Sequence, residues 1–342
     1  MSTKLRIGIL FGGISEEHDV SVKSAQEVAA SLDPERYDPT WIHITRDGAW
    51  RLCDGPTAPA DSAGRSAVIS PDREVHGLLV GGDGACERVR LDVVLPVLHG
   101  KHGEDGSVQG LLELAGIPYV GCDIASSALC MDKALAYLVA ESAGIPIPGY
   151  GIVRDGDTVD GAGLVYPVFV KPARSGSSFG VSKVNNADEL PAALATAREF
   201  DSKVLVEEGI VGKEVGCAIL GTGTDLTVGD VDRVALAHGF LRIHQEQNPE
   251  DGSENAQFIV PADISDADRQ RVQQTAVAIY RALGCSGLAR VDLFLADDGR
   301  VLLNEVNTLP GLTSYSRYPR MMASAGIPLS EVVDRLVALA LA

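Results

Sequence analysis

The runs from Gly287 to Phe294 and from Asn304 to Gly311 carry the densest chemistry in this chain. Apolar and polar residues alternate in each, the period of a β-strand. Arg290 and Asp292 therefore share one face of the first run, and Glu305 and Asn307 share one face of the second. Asp297-Asp298-Gly299 between them suits a turn, so the two runs are expected to pair as a hairpin. Pairing would gather a guanidinium, two carboxylates and an amide in one small space. Carboxylates are rarely buried without a partner or a metal. Asp292, Glu305 and Asn307 offer oxygen ligands of the kind that suits Mg2+, and Mg2+ held by few carboxylates usually also holds substrate phosphates. Arg290 beside them suits an anionic transition state. The competing reading is a hairpin with a solvated polar face. Two polar stretches at the same period, one after the other and ending in the Pro310-Gly311 turn, favour the metal.

A second set of residues suits phosphate. Tyr166 to Lys171 reads as a strand ending in a lysine, followed by the Gly/Ser loop Arg174 to Val181. Small residues let backbone N–H groups approach phosphate oxygens, and the Ser177 and Ser178 hydroxyls add donors. No G-x-x-x-x-G-K-[ST] run exists, so this is not a Walker loop. Lys133 opens a helix expected over Asp132 to Ala143, where the dipole mildly disfavours a lysine. By itself it reads as a solvated first-turn residue; it could also reach a phosphate. Glu207 and Glu208 end a strand expected from Lys203, and Glu214 follows. They are either solvated or acceptors for adenine N6 and ribose hydroxyls.

Gly12 to Ser21 joins the first strand to its helix, at a carboxyl strand end where open α/β sheets bind ligands. A glutamate there could hold a substrate ammonium, and Asp19 or Ser21 could cap the helix. His99 to Gly106 holds two histidines three apart with nearby acids. Its glycine density points to an irregular substrate loop rather than a zinc site.

The elements that must position these groups alternate in type. Strands are expected at Leu5–Phe11, Trp41–Ile44 and Val93–Leu98, and helices at Ser21–Leu32 and Val108–Leu114, which suggests a mostly parallel sheet. Pro56 to Gly84 is rich in Gly, Pro, Ser and Asp and reads as a loop or small hairpin. Ala143 to Gly149 reads as a linker into a second domain, in which a helix is expected over Ala187 to Phe200. The 342 residues, 45% hydrophobic with 37 Gly, suit two or three domains. A formal net charge of -18 argues against nucleic-acid or anionic-membrane binding but not against ATP, whose pocket needs only a few local cations. Six cysteines, without a C-x-x-C pair, suit reduced thiols of a cytoplasmic protein. No apolar stretch reaches membrane-spanning length.

Taken together, Phe11 to Ser21, His99 to Gly110, Met131-Asp132-Lys133, Phe169 to Gly180 and Gly287 to Ser316 resemble the D-alanine–D-alanine ligase family of the ATP-grasp superfamily, from near the start of the chain to its end. Phe240 to Asn255 and Ser314 to Arg320 resemble the vancomycin-resistance branch, the D-alanine–D-lactate ligases. Dipeptide ligases carry a Tyr-rich lid with a Lys-Tyr pair there; here the pair is absent, His244 stands in the lid, and Arg317 occupies a position usually apolar.

The resemblance implies a mixed α/β and α+β ATP-grasp fold with an N-terminal Rossmann-like domain. It divides the chain at 1–123, 124–212 and 213–342, with an omega-loop lid at about 236–256. ATP would phosphorylate the carboxylate of D-alanine, and a second D-amino or D-hydroxy acid would attack the acyl phosphate. With D-lactate the product is the depsipeptide of modified peptidoglycan and vancomycin resistance. Lys133, Lys171, Ser177 and Ser178 would hold phosphates. Phe169, Glu207, Glu208, Glu214, Leu241, Asn304 and Glu305 complete the implied ATP set. Asp292, Glu305 and Asn307 would hold two Mg2+, with Mn2+ as substitute. Glu17 would take the first substrate's ammonium, with Ser177 linking it to the lid. Arg290 and the Gly311 N–H would form the oxyanion site, and Ser316 and Arg317 would meet the second substrate. His99, His244 and Arg317 form the implied selecting set: a protonated His244 would repel an alanine ammonium and tolerate a lactate hydroxyl. A homodimer is implied by analogy. The alternatives are a D-alanine–D-alanine ligase and a non-catalytic ATP-binding protein. Arg290, Asp292, Glu305, Asn307 and both lysines argue against the second, and the lack of a G-x-G-x-x-G run after the first strand argues against an oxidoreductase.

Overall fold

The computed structural model describes residues 4–57, 64–81, 86–159, 161–236 and 256–342, arranged around three sheets. The first part of the chain runs β1 (Leu5–Gly12), α1 (His18–Ser31), β2 (Tyr37–Ile44), β3 (Trp50–Cys53), β4 (Arg65–Ile69), β5 (Gly77–Gly81), β6 (Cys86–Arg90), β7 (Val93–Val97) and α2 (Ser107–Ala115). Its seven strands lie in the order β6-β5-β4-β3-β2-β1-β7. Only β2, β1 and β7 are parallel; β3 to β6 extend the sheet as an antiparallel meander. The expectation of a mostly parallel sheet is thereby corrected, whereas β4 and β5 pair as a hairpin within the Pro56 to Gly84 stretch, one of the two readings its composition allows. β4 buries only alternate residues, Ala67 and Ile69, around an exposed Val68. So short a one-sided strand leaves too few apolar residues to stand out from its turn-rich flanks.

α1 begins before the expected Ser21 because Ser21 is not a cap. Its buried hydroxyl accepts from the Gly12 N–H at 2.7 Å and bonds the Val97 carbonyl, pinning the helix onto the ends of β1 and β7. Asp19 instead pairs with Arg46 at the surface.

The middle of the chain runs α3 (Ile124–Met131), α4 (Lys133–Ser142), β8 (Tyr150–Val153), β9 (Val168–Pro172), β10 (Ser182–Val184), α5 (Leu190–Arg198) and β11 (Val204–Glu208). The strands form an antiparallel sheet, β10-β9-β11-β8. Asp123 and Asp132 cap α3 and α4, accepting from the Ser126 and Leu135 N–H groups at 2.8 and 3.2 Å. The Asp132 cap puts Lys133 in the first turn of its helix.

The rest runs β12 (Gly212–Thr222), β13 (Asp225–Leu236), β14 (Ala256–Ile259), α6 (Asp266–Ala282), β15 (Gly287–Ala296), β16 (Val301–Asn307), α7 (Arg317–Ser324) and α8 (Leu329–Ala340). Its antiparallel sheet has the order β14-β13-β12-β15-β16. The cores cross between sheets. Tyr137 of α4 packs in one cluster with Val291 and Val306 of the hairpin, and Ile9 of β1 shares another with Met321 of α7 and Val333 of α8. α4 thus packs on the hairpin directly, while α8 lies between the N-terminal strands and β15.

Candidate active site

β15 and β16 pair as the expected hairpin, with Arg290 opposite Asn307 and Asp292 opposite Glu305. The register slips just after Asp292, as at a β-bulge, which re-aims side chains locally. The polar face is not solvated. Arg290 donates to Asp292 from Nε at 2.9 and 3.1 Å and from Nη2 at 2.8 Å, and Asn307 Nδ2 adds a donor at 3.0 Å. Asp292 is only 2% exposed. Glu305 meets the Lys133 ammonium at 3.0 Å. Burial opposes ionisation of Glu305, but Lys133, then Arg290 and Lys171, outweigh it and hold its carboxyl at about 2.

Both lysines are inside. Lys133, read from sequence alone as a solvated residue, also donates to the Ser175 carbonyl at 2.8 Å. Lys171 lies on Glu207 at 2.7 Å, with the Asn304 Oδ1 at 3.5 Å and the Tyr137 ring at 5.9 Å. Tyr137 donates to Glu207 at 2.6 Å and touches the Asn304 carbonyl at 3.0 Å. Glu207 therefore does not present a free carboxylate to a nucleoside: both its oxygens are taken, and it is 2% exposed. Phe169 sits opposite Glu207 in the β9–β11 register, and Glu208 ends β11 exposed, close to Gly149. Glu214 lies two residues from Gly216 on β12, on the side of the hairpin acids. Burial pushes its carboxyl up to about 7; Arg317 opposes the shift, and Asp292, Glu305 and Asp232 add to it.

The Gly/Ser loop turns through two consecutive left-handed residues, Ser177 at φ +48° and Ser178 at φ +59°. Such backbone is costly for non-glycine residues and persists only where the surroundings hold it. The turn brings the Ser177 hydroxyl 2.7 Å from Glu17 Oε1, joining the loop to the start of α1.

The segment after β16 is held from the N-terminal side. His99, 5% exposed, donates from Nδ1 to the Leu309 carbonyl at 2.9 Å, and its Nε2 faces Ser24 Oγ at 3.5 Å. Burial lowers its pKa, so the ring is neutral with its proton on Nδ1. Glu104 accepts from the Leu309 N–H at 3.1 Å and from the Gly100 N–H at 2.8 Å. Burial, then the Glu17 carboxylate, push the Glu104 carboxyl up to about 7. Ser24 Oγ accepts from Leu312 at 3.2 Å. This places Gly311, whose added Cβ would sit 2.7 Å from Ser316 Oγ and would push that hydroxyl aside. Ser316 Oγ in turn lies 2.6 Å from Thr313 Oγ1.

Two expectations of the selecting set change. His99 supports the Leu309 backbone instead of facing an open pocket, and its neighbour His102 is exposed and makes no metal pair with it. Arg317, expected to meet a substrate carboxylate, is buried: Nε and Nη2 lie 2.6 and 2.8 Å from Asp232, and Nη1 is 3.2 Å from Asp292. A guanidinium out of water takes carboxylates as partners. Leu241 and His244 lie outside the described residues.

The sequence alone marks no role for Asp232, Tyr137 or Glu104. Tyr137 stands four residues after Lys133, hence on the same helix face, a signal that pointed at it. Asp232 alternates with Asp230 along β13 and resembles the outer face of any edge strand.

Among the described residues no three His, Cys, Asp or Glu side chains form a metal cluster by themselves. Two carboxylates and an amide still fit a divalent cation whose remaining ligands are phosphate oxygens and water. With Asn307 Nδ2 on Asp292, its Oδ1 is the branch that would meet a cation.

Residues 6–122 match the family model described as D-ala D-ala ligase N-terminus, and residues 139–338 match D-ala D-ala ligase C-terminus. A Streptomyces coelicolor protein named putative D-alanine–D-lactate ligase is 66% identical over 339 residues, 99% of this chain and 98% of its own. The vancomycin/teicoplanin A-type resistance protein VanA of Enterococcus faecium is 59% identical, with 99% of both chains covered. The crystal structure of the VanG D-Ala:D-Ser ligase from Enterococcus faecalis superposes with a TM-score of 0.90 at 42% identity, over 99% of this chain and 100% of that one.

Proposed function

The chain belongs to the D-alanine–D-alanine ligase family, and we propose that it joins D-alanine to D-lactate through a D-alanyl phosphate, an ATP-dependent ligation that needs a divalent metal. The observation that carries the chemistry is the convergence of Arg290, Asp292, Glu305, Asn307 and Lys133 on one hairpin face. Lactate as the second substrate rests on the D-alanine–D-lactate relative at 66% identity and on His244 where dipeptide ligases carry a Lys-Tyr pair.

Lys133 and Lys171, already desolvated, exchange Glu305 and Glu207 for phosphate oxygens when ATP enters. Asp292, Glu305 and Asn307 would hold Mg2+, which supplies charge neutralisation for the phosphoryl group as it moves. Glu17, oriented by Ser177, takes the D-alanine ammonium and leaves the substrate carboxylate free to attack the γ-phosphorus, releasing ADP. The lactate hydroxyl oxygen then attacks the acyl carbon, and its proton passes to the departing phosphate. Arg290 and the Gly311 N–H stabilise the oxyanion, whose collapse expels inorganic phosphate. His99 and Glu104 hold the Leu309 peptide so that Gly311 stays in place.

Two Mg2+ ions, replaceable by Mn2+, belong to this reading, as do a homodimer, a role in vancomycin-resistant peptidoglycan and a cytoplasmic site of action. No described helix is long and apolar enough to cross a membrane. The three sheets support a division at 1–123, 124–212 and 213–342, although the helices at 124–142 pack mainly on the third sheet. The test is product analysis by mass spectrometry with ATP, D-alanine and D-lactate. D-alanyl-D-lactate with stoichiometric ADP is expected; dipeptide alone at every pH would reassign the enzyme to D-alanine–D-alanine ligation.

A further inference from the structure

Arg317 and Asp232 form, with Asp292 and Arg290, a buried row of alternating charge behind the hairpin. Asp232 is 0% exposed, Arg317 6% and Asp292 2%. The row crosses three elements: Asp232 on β13, Arg317 at the start of α7, Asp292 on β15. β12 runs between β13 and β15, and at the crossing it carries Gly216, paired with Asp232 on one side and Asp292 on the other. A Cβ on Gly216 would lie 2.6 Å from Asp232 Oδ1 and 3.0 Å from Asp292 Oδ1, and it would collide with the Arg317 guanidinium. The glycine opens the strand surface so that the guanidinium can lie across it.

We propose that Arg317 and Asp232 are positioning residues for the metal-binding carboxylate of Asp292, with Gly216 as the opening that admits them, and that Arg317 does not touch the second substrate. The inference rests on the reading of Asp292 as a metal ligand. Arg290 lies two residues from Asp292 on the same strand face and grips both its oxygens. Without Arg317, Arg290 would be the one side chain on Oδ1, while Asn307 holds Oδ2 only. Arg317 Nη1 engages Oδ1 from the opposite element, fixing the plane of the group. Asp232 takes the other two guanidinium nitrogens, orients the fork and offsets its charge, so that Arg317 does not compete with a cation for the full charge of Asp292. Groups that orient metal-ligating carboxylates in this way are worth about 10- to 100-fold in metal affinity.

The experiment measures Mn2+ binding to the full-length enzyme with ADP by electron paramagnetic resonance, alongside steady-state kinetics. Arg317→Lys keeps the charge but loses the fork, and Asp232→Asn keeps the shape but loses the charge. Each should weaken Mn2+ binding about 10-fold or more and raise the Mg2+ concentration for half-maximal rate, leaving KM for the second substrate within about twofold. If one variant fails to fold, the other reads the same quantity. Unchanged Mn2+ binding in a folded variant overturns the proposal, as does an Arg317→Lys enzyme with normal Mn2+ binding and a second-substrate KM raised about 10-fold. Asp292→Asn is the control: if it binds Mn2+ like wild type, the metal assignment itself falls, and this inference with it.

Discussion

Replacing Glu305 by Gln tests the site and the fold together, because Lys133 depends on that carboxylate. The Lys133–Glu305 contact is 3.0 Å, with side chains 10% and 27% exposed. At an effective dielectric of ~20 such a pair attracts by roughly 5 kcal/mol before desolvation. Holding the carboxyl at about 2 rather than 4.5 corresponds to ~3 kcal/mol in favour of the charged form, burial already included. The partial exposure of Glu305 screens the pair, so ~2–3 kcal/mol at neutral pH is the expected loss. At about 2 °C per kcal/mol for a chain of this size, Tm should fall by about 4–6 °C. The folded pKa is depressed, so this stabilisation is complete above the ordinary carboxyl value and fades as pH falls toward about 2. The gap between wild type and Glu305→Gln should therefore be full at pH 7 and visibly narrower at pH 3.5 in urea titrations. The variant should stay folded at neutral pH with turnover lowered at least about 100-fold, from the lost ligand. An unchanged Tm at pH 7, or a gap that does not close in acid, would refute the ion-pair reasoning; near-normal turnover would refute the metal assignment.

Arg290→Ala should lower kcat by about 10²- to 10³-fold through loss of an oxyanion donor. ADP binding measured without metal should change by less than about threefold; a collapse there would make Arg290 a nucleotide ligand. Glu104 has a folded pKa raised to about 7, so the stability tied to its protonation is present below about 4.5 and lost as pH rises through about 7. Glu104→Gln should flatten that dependence, seen as a Tm difference from wild type that shifts in the variant's favour from pH 5 to pH 8. The same change at Leu309 should cost the variant kcat, since one of two backbone N–H groups loses a full acceptor. His244→Tyr should weaken the preference for lactate at pH 6, where an ordinary imidazole (pKa ~6.5) is largely charged. In wild type the product ratio should swing toward dipeptide between about pH 6 and pH 9. An unchanged lactate preference in His244→Tyr at pH 6 would place selection elsewhere.

What the sequence made legible follows range. The hairpin could be read because its face is written locally, by alternation over a few residues and a turn. The start of α4 at Lys133 is local too, although the side chain by itself reads as solvated. The partners that give these groups their state are not local. Arg317 meets Asp232 across 85 residues and His99 meets Leu309 across 210. Those meetings depend on strand order and on which helix packs where, which no local pattern records. Asp232, Glu104 and Arg317 therefore read as surface or substrate-facing groups until the sheets were in place. β4 leaves loop and hairpin both open for the opposite reason, too short a local signal. His244 and Leu241 lie outside the described residues, so their roles still rest on resemblance.

The buried pairs also constrain how catalysis begins. Lys133 rests on Glu305 and Lys171 on Glu207, while Asp292 rests on two arginines and an amide. A buried charge must have a partner, so without nucleotide the protein supplies one for each group that ATP or metal would otherwise satisfy. Binding then becomes an exchange of partners rather than a first desolvation. The lysines would give up carboxylates for phosphates, and Glu305, released from Lys133, would become available to a cation at the same moment. Nucleotide and metal should for that reason bind with positive coupling, and Glu305 is the group through which each favours the other. The coupling has a measurable sign. In wild type, Mn2+ should tighten ADP and ADP should tighten Mn2+ by the same factor, and in Glu305→Gln that mutual factor should fall toward one even if each ligand still binds. Equal coupling in both proteins would mean that Lys133 and Glu305 do not separate when nucleotide enters.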